Sequence, residues 1–202
     1  MAEKTLDEIK ADILHRAGRI NPFERVRRED VEQVISRLSS LEPDLWGREW
    51  GKIGAKYESL AEEQQRHGKG KEAGETYYLA YEYFRIGRYP VPSSPEKMSC
   101  YKGALRTFLK AAPTMEPPLE RVEIPFEGNK VVGYLQVPKG SARPAVVMHW
   151  GGVDGWKEDR PEQQRCATPN GACVLYHRHA GGRRESLPRE RSQRRADVFR
   201  SD

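Results

Sequence analysis

Apolar residues recur at helical spacing through residues 1–115 of the chain. Thr5-Leu6-Asp7-Glu8 has the form of a capping box, which predicts that a helix begins there with Ile9 and Ile13 on its apolar side. Four further apolar stripes predict helices over residues 28–38, 45–67, 71–86 and 96–111. Ser94 and Pro95 fit the N-cap and the first position of the last of these helices. The pattern therefore predicts a helical domain over residues 1–115.

Two of the predicted helices carry many of the aromatic side chains. The apolar stripe of residues 45–67 runs from Trp46 to Leu60, and helix 71–86 adds four tyrosines and a phenylalanine. Large apolar side chains at helical spacing usually belong to a core, so we interpret both stripes as packing surfaces. The segment Gly87-Arg88-Tyr89-Pro90 is predicted to stop the second of these helices.

The periodicity changes from helical to alternating after a linker at residues 113–118. Arg121–Phe126 and Lys130–Val137 alternate as two strands around the hairpin-type turn Glu127-Gly128-Asn129. Ala145–Trp150 is predicted as a third strand, and its apolar, β-branched start is typical of a strand buried on both faces. Helices followed by strands indicate an α/β fold, in which a helical domain precedes the first three strands of an incomplete sheet over residues 119–162.

The bulk composition limits the classes of protein to consider. A length of 202 residues suits one domain or two small ones, and 37% hydrophobic with 32% charged residues is typical of a polar, soluble protein. No apolar run is long enough for a membrane span, and Met1–Lys10 lacks the apolar core of a signal peptide. The odd number of cysteines, three, fits a reducing compartment. We therefore expect a cytoplasmic protein with no membrane partner.

The net charge of +5 resides in residues 165–202. That segment has nine Arg, no Lys and four acidic residues, whereas residues 1–164 balance at 26 basic and 26 acidic. A neutral body argues against a broad nucleic-acid surface. We interpret residues 163–202 as a mostly disordered Arg-rich tail, with a nucleic-acid or anionic-membrane arm as the alternative. The spacing C-x6-C-x3-H-x-H in this tail matches no common zinc module, so we expect neither a metal nor another cofactor.

The third predicted strand ends in a glycine pair. Gly151 and Gly152 allow the backbone to turn sharply after Trp150 and to bring its N–H groups close to a ligand. In serine-type acyl hydrolases, one donor of the oxyanion hole comes from such a loop after a central strand. His149 is interpreted as a residue that shapes this loop and not as a catalytic base, because no nucleophile lies near it by motif.

Three segments in a fixed order carry a resemblance to a known family. YFRIGRYPVPSSPEKMSCYKGALRTF, ERVEIPFEGNKVVGYLQVPKG and PAVVMHWGGVDGWKED together resemble the fermentation–respiration-switch esterase-like and 2,6-dihydroxypseudooxynicotine hydrolase-like α/β-hydrolases, over roughly residues 20–162. The resemblance implies a helical domain above the active site, a mostly parallel eight-stranded sheet and a Ser–Asp–His triad. It also implies a small-molecule ester or activated carbonyl substrate, which complete relatives hydrolyse with a serine nucleophile.

Residue by residue, the resemblance extends only to the glycine loop and the polar stretch after it. It implies that Gly151, Gly152 and Val153 form the turn after the third strand. It also implies that the backbone N–H of Gly152 or Val153 is an oxyanion-hole donor. Asp154 and the pair Lys157-Glu158 match the polar stretch, for which we expect structural roles.

The catalytic triad is not found in the sequence. The nucleophile belongs in a Gly-x-Ser-x-Gly elbow, and neither Ser186 nor Ser192 has flanking glycines. A shift of the reading frame by one nucleotide across Val174–Glu185 permits CFTIDMPGGGES, which resembles the family motif due at that point. We therefore expect a frameshift after about residue 162 and a truncated, inactive form with no catalytic residue in this chain.

The strand order that the resemblance implies, 1-2-4-3-5, places the third strand beside the fourth. Ala172–Tyr176 is apolar enough to occupy the fourth position, between strands two and three, and we predict a strand there. Everything after Gly181 is predicted to be irregular. A sheet without its fifth strand keeps an open apolar edge, which favours aggregation.

Two other functions fit the same sequence. In the first, the helical domain is a non-catalytic protein-interaction module; in the second, the basic tail binds nucleic acid. Within the hydrolase interpretation, the exposed edge of helix 71–86 is an alternative wall for a substrate pocket, and Trp156 either flanks an acyl pocket or covers the loop. The substrate and the oligomeric state, including a homo-oligomer, stay open.

Overall fold

The computed structural model describes residues 4–140, 144–150, 156–159 and 172–177. Within this part of the chain, helices precede strands, as the periodicity predicts. The helices are α1 (Leu6–Arg16), α2 (Arg28–Arg37), α3 (Pro43–Arg66), α4 (Gly70–Arg88) and α5 (Pro95–Ala111), followed by a 3-10 turn at Ala112–Thr114. The strands are β1 (Leu119–Phe126), β2 (Asn129–Gln136), β3 (Ala145–Trp150) and β4 (Ala172–His177). None of the helices described is both long and apolar enough to cross a bilayer.

The ends of the helices follow local signals in the sequence. The predicted capping box is confirmed, because Thr5 Oγ1 accepts the N–H of Glu8 while the Glu8 carboxylate accepts the N–H of Thr5. Helix α4 differs from its prediction, since it continues through Gly87 and ends at Arg88. Tyr89, which precedes Pro90, is extended, and a residue before proline disfavours the helical conformation.

Glycines lie where α3, α4 and α5 approach one another. A Cβ atom on Gly47 would lie 2.7 Å from the backbone nitrogen of Lys97, and one on Gly87 would lie 2.5 Å from Cys100 Sγ. These distances leave no room for a side chain in a packed interior. The Cys100 thiol donates to the carbonyl oxygen of Gly47 at 3.0 Å. Burial, with a smaller effect from the charge of Glu96, raises the pKa of this thiol to about 12.

The predicted aromatic core of the helices is confirmed. Trp50, Tyr57 and Tyr83 are buried, and the rings of Tyr57 and Tyr83 stack with their centroids 5.2 Å apart. Leu60 is an exception, because it is 42% exposed while Ala61 is fully buried. At 3.6 residues per turn, residue 60 lies about 80° around the helix from Trp50, whereas residue 61 lies only about 20° from it. The buried stripe of α3 therefore ends at Ala61 and not at Leu60.

β1 and β2 form the predicted hairpin with a tighter turn than expected. Phe126 pairs with Asn129, so the loop contains only Glu127 and Gly128. Both residues have positive φ, 46° and 77°, as a two-residue type I′ turn requires. Asn129 therefore belongs to the strand and not to the turn.

The sheet confirms the predicted place of the fourth strand. The strand order is β1-β2-β4-β3, with β4 antiparallel to β2 and parallel to β3. The expectation that β3 is buried on both faces is wrong for this chain, because Val146, Val147 and Met148 are 61%, 44% and 58% exposed. β3 lies at the sheet edge, and the helices instead bury Leu119 of β1 and Tyr134 of β2.

The helices and the hairpin share one apolar cluster. Tyr81, Phe108, Leu119 and Tyr134 are all buried in it, and the rings of Phe108 and Tyr134 lie 5.1 Å apart. The division into residues 1–115, 119–162 and 163–202 stays a prediction. Apart from β4, residues 163–202 lie outside the described part of the chain.

Candidate functional site: the turn after β3

The strand that leads to the predicted oxyanion loop is held by parallel pairing with β4. His149 pairs with Tyr176 and Trp150 pairs with His177 through the backbone. The four loop residues to which a function was assigned, Gly151, Gly152, Val153 and Asp154, lie outside the described residues, so their roles stay predictions. The described chain resumes at Trp156, in a turn that ends at Asp159; we call Trp156–Asp159 the post-strand turn.

The carboxylate of Asp159 closes the post-strand turn and ties it to α4. Asp159 Oδ2 accepts the backbone N–H of Trp156 at 3.0 Å, and the N–H of Asp159 donates back to the carbonyl of Trp156 at 2.8 Å. Asp159 Oδ1 accepts the hydroxyl of Tyr81 at 2.9 Å. Arg88 Nη2 lies 2.9 Å from Oδ1 and 3.0 Å from Oδ2. A short turn is thus bonded to the last two turns of a helix that is distant in sequence.

Arg88 also contacts the indole ring of Trp156, at the start of the post-strand turn. The guanidinium carbon lies 4.4 Å from the centroid of the Trp156 ring, within the range of a cation–π interaction. Trp156 is 7% exposed, and its ring centroid lies 4.6 Å from that of Tyr101 on α5. Trp156 therefore covers the turn against the helices, which is one of the two roles predicted for it.

Lys157 and Glu158 have the structural role that the sequence predicts. Their charged groups lie 2.8 Å apart, and both side chains are largely buried, at 11% and 3% exposed. Glu158 Oε1 also accepts the hydroxyl of Tyr134 from β2 at 3.1 Å. Burial, followed by the negative charge of Glu158, raises the pKa of Tyr134, so this hydroxyl stays a donor. The turn is thereby joined to the sheet as well as to α4.

Tyr81 makes the most central contact of the site. Its hydroxyl donates to the backbone carbonyl of Glu158 at 2.8 Å and to Asp159 Oδ1. Burial, followed by the negative charge of Asp159, raises the pKa of Tyr81 well above its usual value. The hydroxyl therefore stays protonated and acts as a neutral hydrogen-bond donor, not as a base.

A second buried ion pair lies one helical turn before Arg88. Arg85 Nε donates to Glu82 Oε2 at 2.7 Å, and Arg85 Nη2 donates to the carbonyl of Pro22 at 3.0 Å. Burial raises the pKa of Glu82, although the positive charge of Arg85 opposes the shift. This face of α4 thus carries paired charges shielded from solvent, an arrangement that is common near functional sites.

The described residues of the site hold the post-strand turn and show ion pairs where an acid–base pair of a hydrolase would be needed. Every carboxylate of the site, on Glu82, Glu158 and Asp159, lies in an ion pair. Among the described residues, no three His, Cys, Asp or Glu side chains are grouped as a metal would require. The contacts among these described residues can position a backbone segment.

The sequence does not by itself identify Arg88 and Tyr81 as site residues. In the sequence Arg88 belongs to the signal that stops α4, although the structure places it in the last turn of that helix. Residues 81 and 88 are seven positions apart and so share one helix face. This shared face, which also carries aromatic side chains of the core, is the one sequence signal that could have indicated Tyr81 and Arg88.

A sequence profile of the esterase FrsA-like family matches residues 12–165. The chain belongs to this family. This confirms the predicted family, and the matched stretch of the FrsA-like chain runs from α1 past the post-strand turn.

Several α/β-hydrolases are similar to this FrsA-like chain. It is 27% identical over 136 residues to alpha/beta hydrolase gkaG of Penicillium citrinum, which covers 64% of this chain and 32% of that protein. It is 26% identical over 146 residues to 20-hydroxy-prefusarin hydrolase FUS2 of Gibberella moniliformis, covering 68% of this chain and 35% of that one. The chain therefore spans about a third of the length of these relatives.

Two solved structures share the fold. The 2,6-dihydroxy-pseudo-oxynicotine hydrolase matches 76% of this chain and 42% of its own, with a TM-score of 0.62 and 23% identity. AbyA5 matches 96% of this chain and 50% of its own, with a TM-score of 0.57 and 20% identity. At these identities the likeness shows the fold alone. The predicted class, a helical domain followed by an incomplete α/β-hydrolase sheet, is confirmed.

Proposed function

We propose that this chain carries the helical domain and the oxyanion side of a serine-type α/β-hydrolase that cleaves an ester or an activated carbonyl compound. The observation that carries the proposal is the sheet order, in which β4 lies between β2 and β3 and the parallel strand β3 leads directly into Gly151-Gly152. In hydrolases of this fold, a backbone N–H from the loop after this strand stabilises the oxyanion. The backbone N–H of Gly152 or Val153 is the proposed donor.

The proposed substrate is a small molecule. Two similar proteins are named for hydrolysis of 20-hydroxy-prefusarin and of 2,6-dihydroxy-pseudo-oxynicotine, both of which are small organic compounds. In this chain, a cavity of about 490 Å³ lies beside α4 and is lined by Tyr78, Arg25 and Met115 among others. The ring of Tyr78 lies 5.4 Å from that of Tyr81, which contacts the post-strand turn. This supports the alternative in which the exposed edge of α4 forms a wall of the substrate pocket.

We also propose that these 202 residues do not catalyse the reaction by themselves. The sequence contains no Gly-x-Ser-x-Gly elbow, in which the nucleophile of such a hydrolase belongs. The proposed cause is a shift of the reading frame, because the alternative frame across Val174–Glu185 permits the family motif. The odd number of cysteines, three, supports a proposed cytoplasmic location.

Two measurements test the proposal. Purified chain is expected to show no hydrolysis of p-nitrophenyl acetate above buffer; activity that a serine-directed phosphonate abolishes would contradict the inactive form. The coding sequence of the locus is the second measurement, and we expect hydrolase sequence with a nucleophile elbow in another frame downstream of codon 174. An uninterrupted frame with no such sequence would contradict the frameshift.

With the frame restored, the oxyanion donor itself becomes testable. Val153→Pro removes one backbone N–H and is expected to lower kcat by about 10²–10³-fold if that group is the donor. Val153→Ala, which keeps the N–H, is the matched control and should retain most of the activity. Equal activity of the two variants would assign the donor to another residue.

The alternative is a non-catalytic interaction module built on the helices. One observation favours it: a groove of about 410 Å³ between α3 and α5 is lined by four basic side chains, Arg48, Lys52, Lys102 and Arg106. Limited proteolysis separates the two functions, since a stable helical fragment that ends near Pro113–Pro118 would support the module. The shared cluster of Phe108, Leu119 and Tyr134 leads us to expect no such fragment.

A further inference from the structure

We propose that Arg88 is a positioning residue, which holds the post-strand turn against α4 through Asp159 and Trp156 and so fixes the backbone that follows the oxyanion segment. The relevance of these contacts to catalysis rests on the proposed function. The structural part of the proposal, that contacts with α4 determine the position of the post-strand turn, is independent of that function.

Arg88 contacts both ends of the post-strand turn, Asp159 and Trp156. Nη2 reaches both carboxylate oxygens of Asp159, at 2.9 and 3.0 Å, while the guanidinium carbon lies 4.4 Å from the centroid of the Trp156 ring. A delocalised guanidinium can contact a carboxylate with one nitrogen and an aromatic ring with its carbon, whereas the ammonium of lysine is a compact point charge. Arg88 is 3% exposed, so solvent does little to weaken the ion pair.

The ion pair between Arg88 and Asp159 is not the arrangement that would stabilise the fold most. Arg88 Nη1 is buried and has no hydrogen-bond partner among the described residues. A buried donor without a partner is destabilising, and a buried ion pair is often replaceable by apolar side chains without loss of stability. A charged pair that is geometrically specific but not optimal for stability fits a positioning role.

The contacts of Arg88 lie close in sequence to the end of β3. Five residues separate Trp150, which is paired with β4, from Trp156, whose ring contacts Arg88. In the sequence, Gly151, Gly152 and Val153 lie between these two residues. Loss of the contacts of Arg88 would release the post-strand turn from α4 and leave the pairing of β3 with β4 in place.

Hydrogen exchange of the whole chain, followed by mass spectrometry, tests the proposal without a catalytic assay. In Arg88→Met we expect the peptide over residues 144–159 to exchange at least about tenfold faster than in wild type, while peptides from α3 are unchanged. Arg88→Lys keeps the charge but not the planar contact and should fall between the two. Arg106→Met is the matched control, because it breaks the ion pair of Arg106 with Glu58, at 2.6 and 2.7 Å, in the groove between α3 and α5.

Unchanged exchange over residues 144–159 in Arg88→Met would overturn the proposal, as would an equal rise in Arg106→Met. If Arg88→Met also accelerates exchange in α3, the variant has destabilised the helices as well, and Asp159→Asn becomes the deciding variant. Asp159→Asn weakens the same ion pair from the side of the turn and leaves the residues of α4 unchanged. A rise confined to residues 144–159 then supports positioning, and no rise overturns it. The p-nitrophenyl acetate assay reports separately on the proposed hydrolase function.

Discussion

The carboxylate of Asp30 on α2 accepts a 2.6 Å hydrogen bond from the hydroxyl of Tyr83 on α4. The hydroxyl of Tyr57 on α3 donates to the same oxygen at 2.6 Å, and Lys56 Nζ lies 3.0 Å from the other one. Burial by itself raises the pKa of Asp30, but the three donors outweigh it and hold the pKa below its usual value. A single ionised side chain thus joins three helices.

Asp30→Asn is expected to lower the free energy of unfolding at pH 7 by about 1.5–3 kcal/mol, because it removes charge-assisted hydrogen bonds in the interior. The folded pKa lies below the reference value of 3.8, so the ionised group stabilises the fold above that pH. The contribution disappears as the pH falls through the folded pKa. Urea unfolding from pH 7 to pH 2.5 should therefore show the gap between wild type and variant narrowing below pH 3.8.

Glu32→Gln is the control for this measurement, since Glu32 lies on the same helix and is 51% exposed in its pair with Arg28. We expect a change below about 0.5 kcal/mol from it. A gap between wild type and Asp30→Asn that stays constant down to pH 2.5 would contradict the assignment.

Gly47→Ala is expected to destabilise the helical domain by about 1–3 kcal/mol, because the added methyl group meets the backbone of α5 at 2.7 Å. Gly70→Ala is the control: Gly70 lies at the start of α4 with nothing within 4 Å of a Cβ atom, and we expect a neutral or slightly stabilising change. Thermal unfolding followed by circular dichroism compares the two. Equal melting temperatures would show that α3 and α5 are not in close contact.

Val146→Lys is expected to reduce self-association of the purified chain. Val146 and Met148 are more than half exposed on one face of β3, at the edge of the sheet, and such strands pair with other copies. Light scattering against protein concentration measures the effect. Val91→Lys replaces a residue of similar exposure, 47%, in the loop between α4 and α5 and should leave association unchanged. An equal effect of both variants would point to net charge as the cause.

Tyr81→Phe is expected to lower the free energy of unfolding by about 1–3 kcal/mol, because it removes the donor that serves the carboxylate of Asp159 and the carbonyl of Glu158. Tyr77→Phe removes a hydroxyl from the same helix whose partner is the neutral amide of Gln65, at 2.8 Å. For that control we expect about 0.5–1.5 kcal/mol. Urea unfolding that ranks the two variants in the opposite order would argue against a central role for Tyr81.

Local signals in the sequence determined the helices and the hairpin. The capping box at Thr5, the Ser94-Pro95 start and the aromatic stripes each act within one or two helical turns, so the sequence shows them directly. The fourth strand follows from the family strand order together with the apolar run at Ala172–Tyr176. The glycine pair after β3 is also visible in the sequence, because glycines at the end of an apolar run mark a special backbone position.

Only the tertiary structure decided which residues surround that segment. Arg88 and Asp159 are 71 positions apart, and Tyr81 and Glu158 are 77 apart, so no periodicity along the chain connects them. The exposure of Val146 and Met148 is equally hidden in the sequence, because burial depends on which elements cover a strand and not on its own composition. Sequence determines what a residue can do locally, whereas the contacts that position the post-strand turn arise only when distant elements pack together.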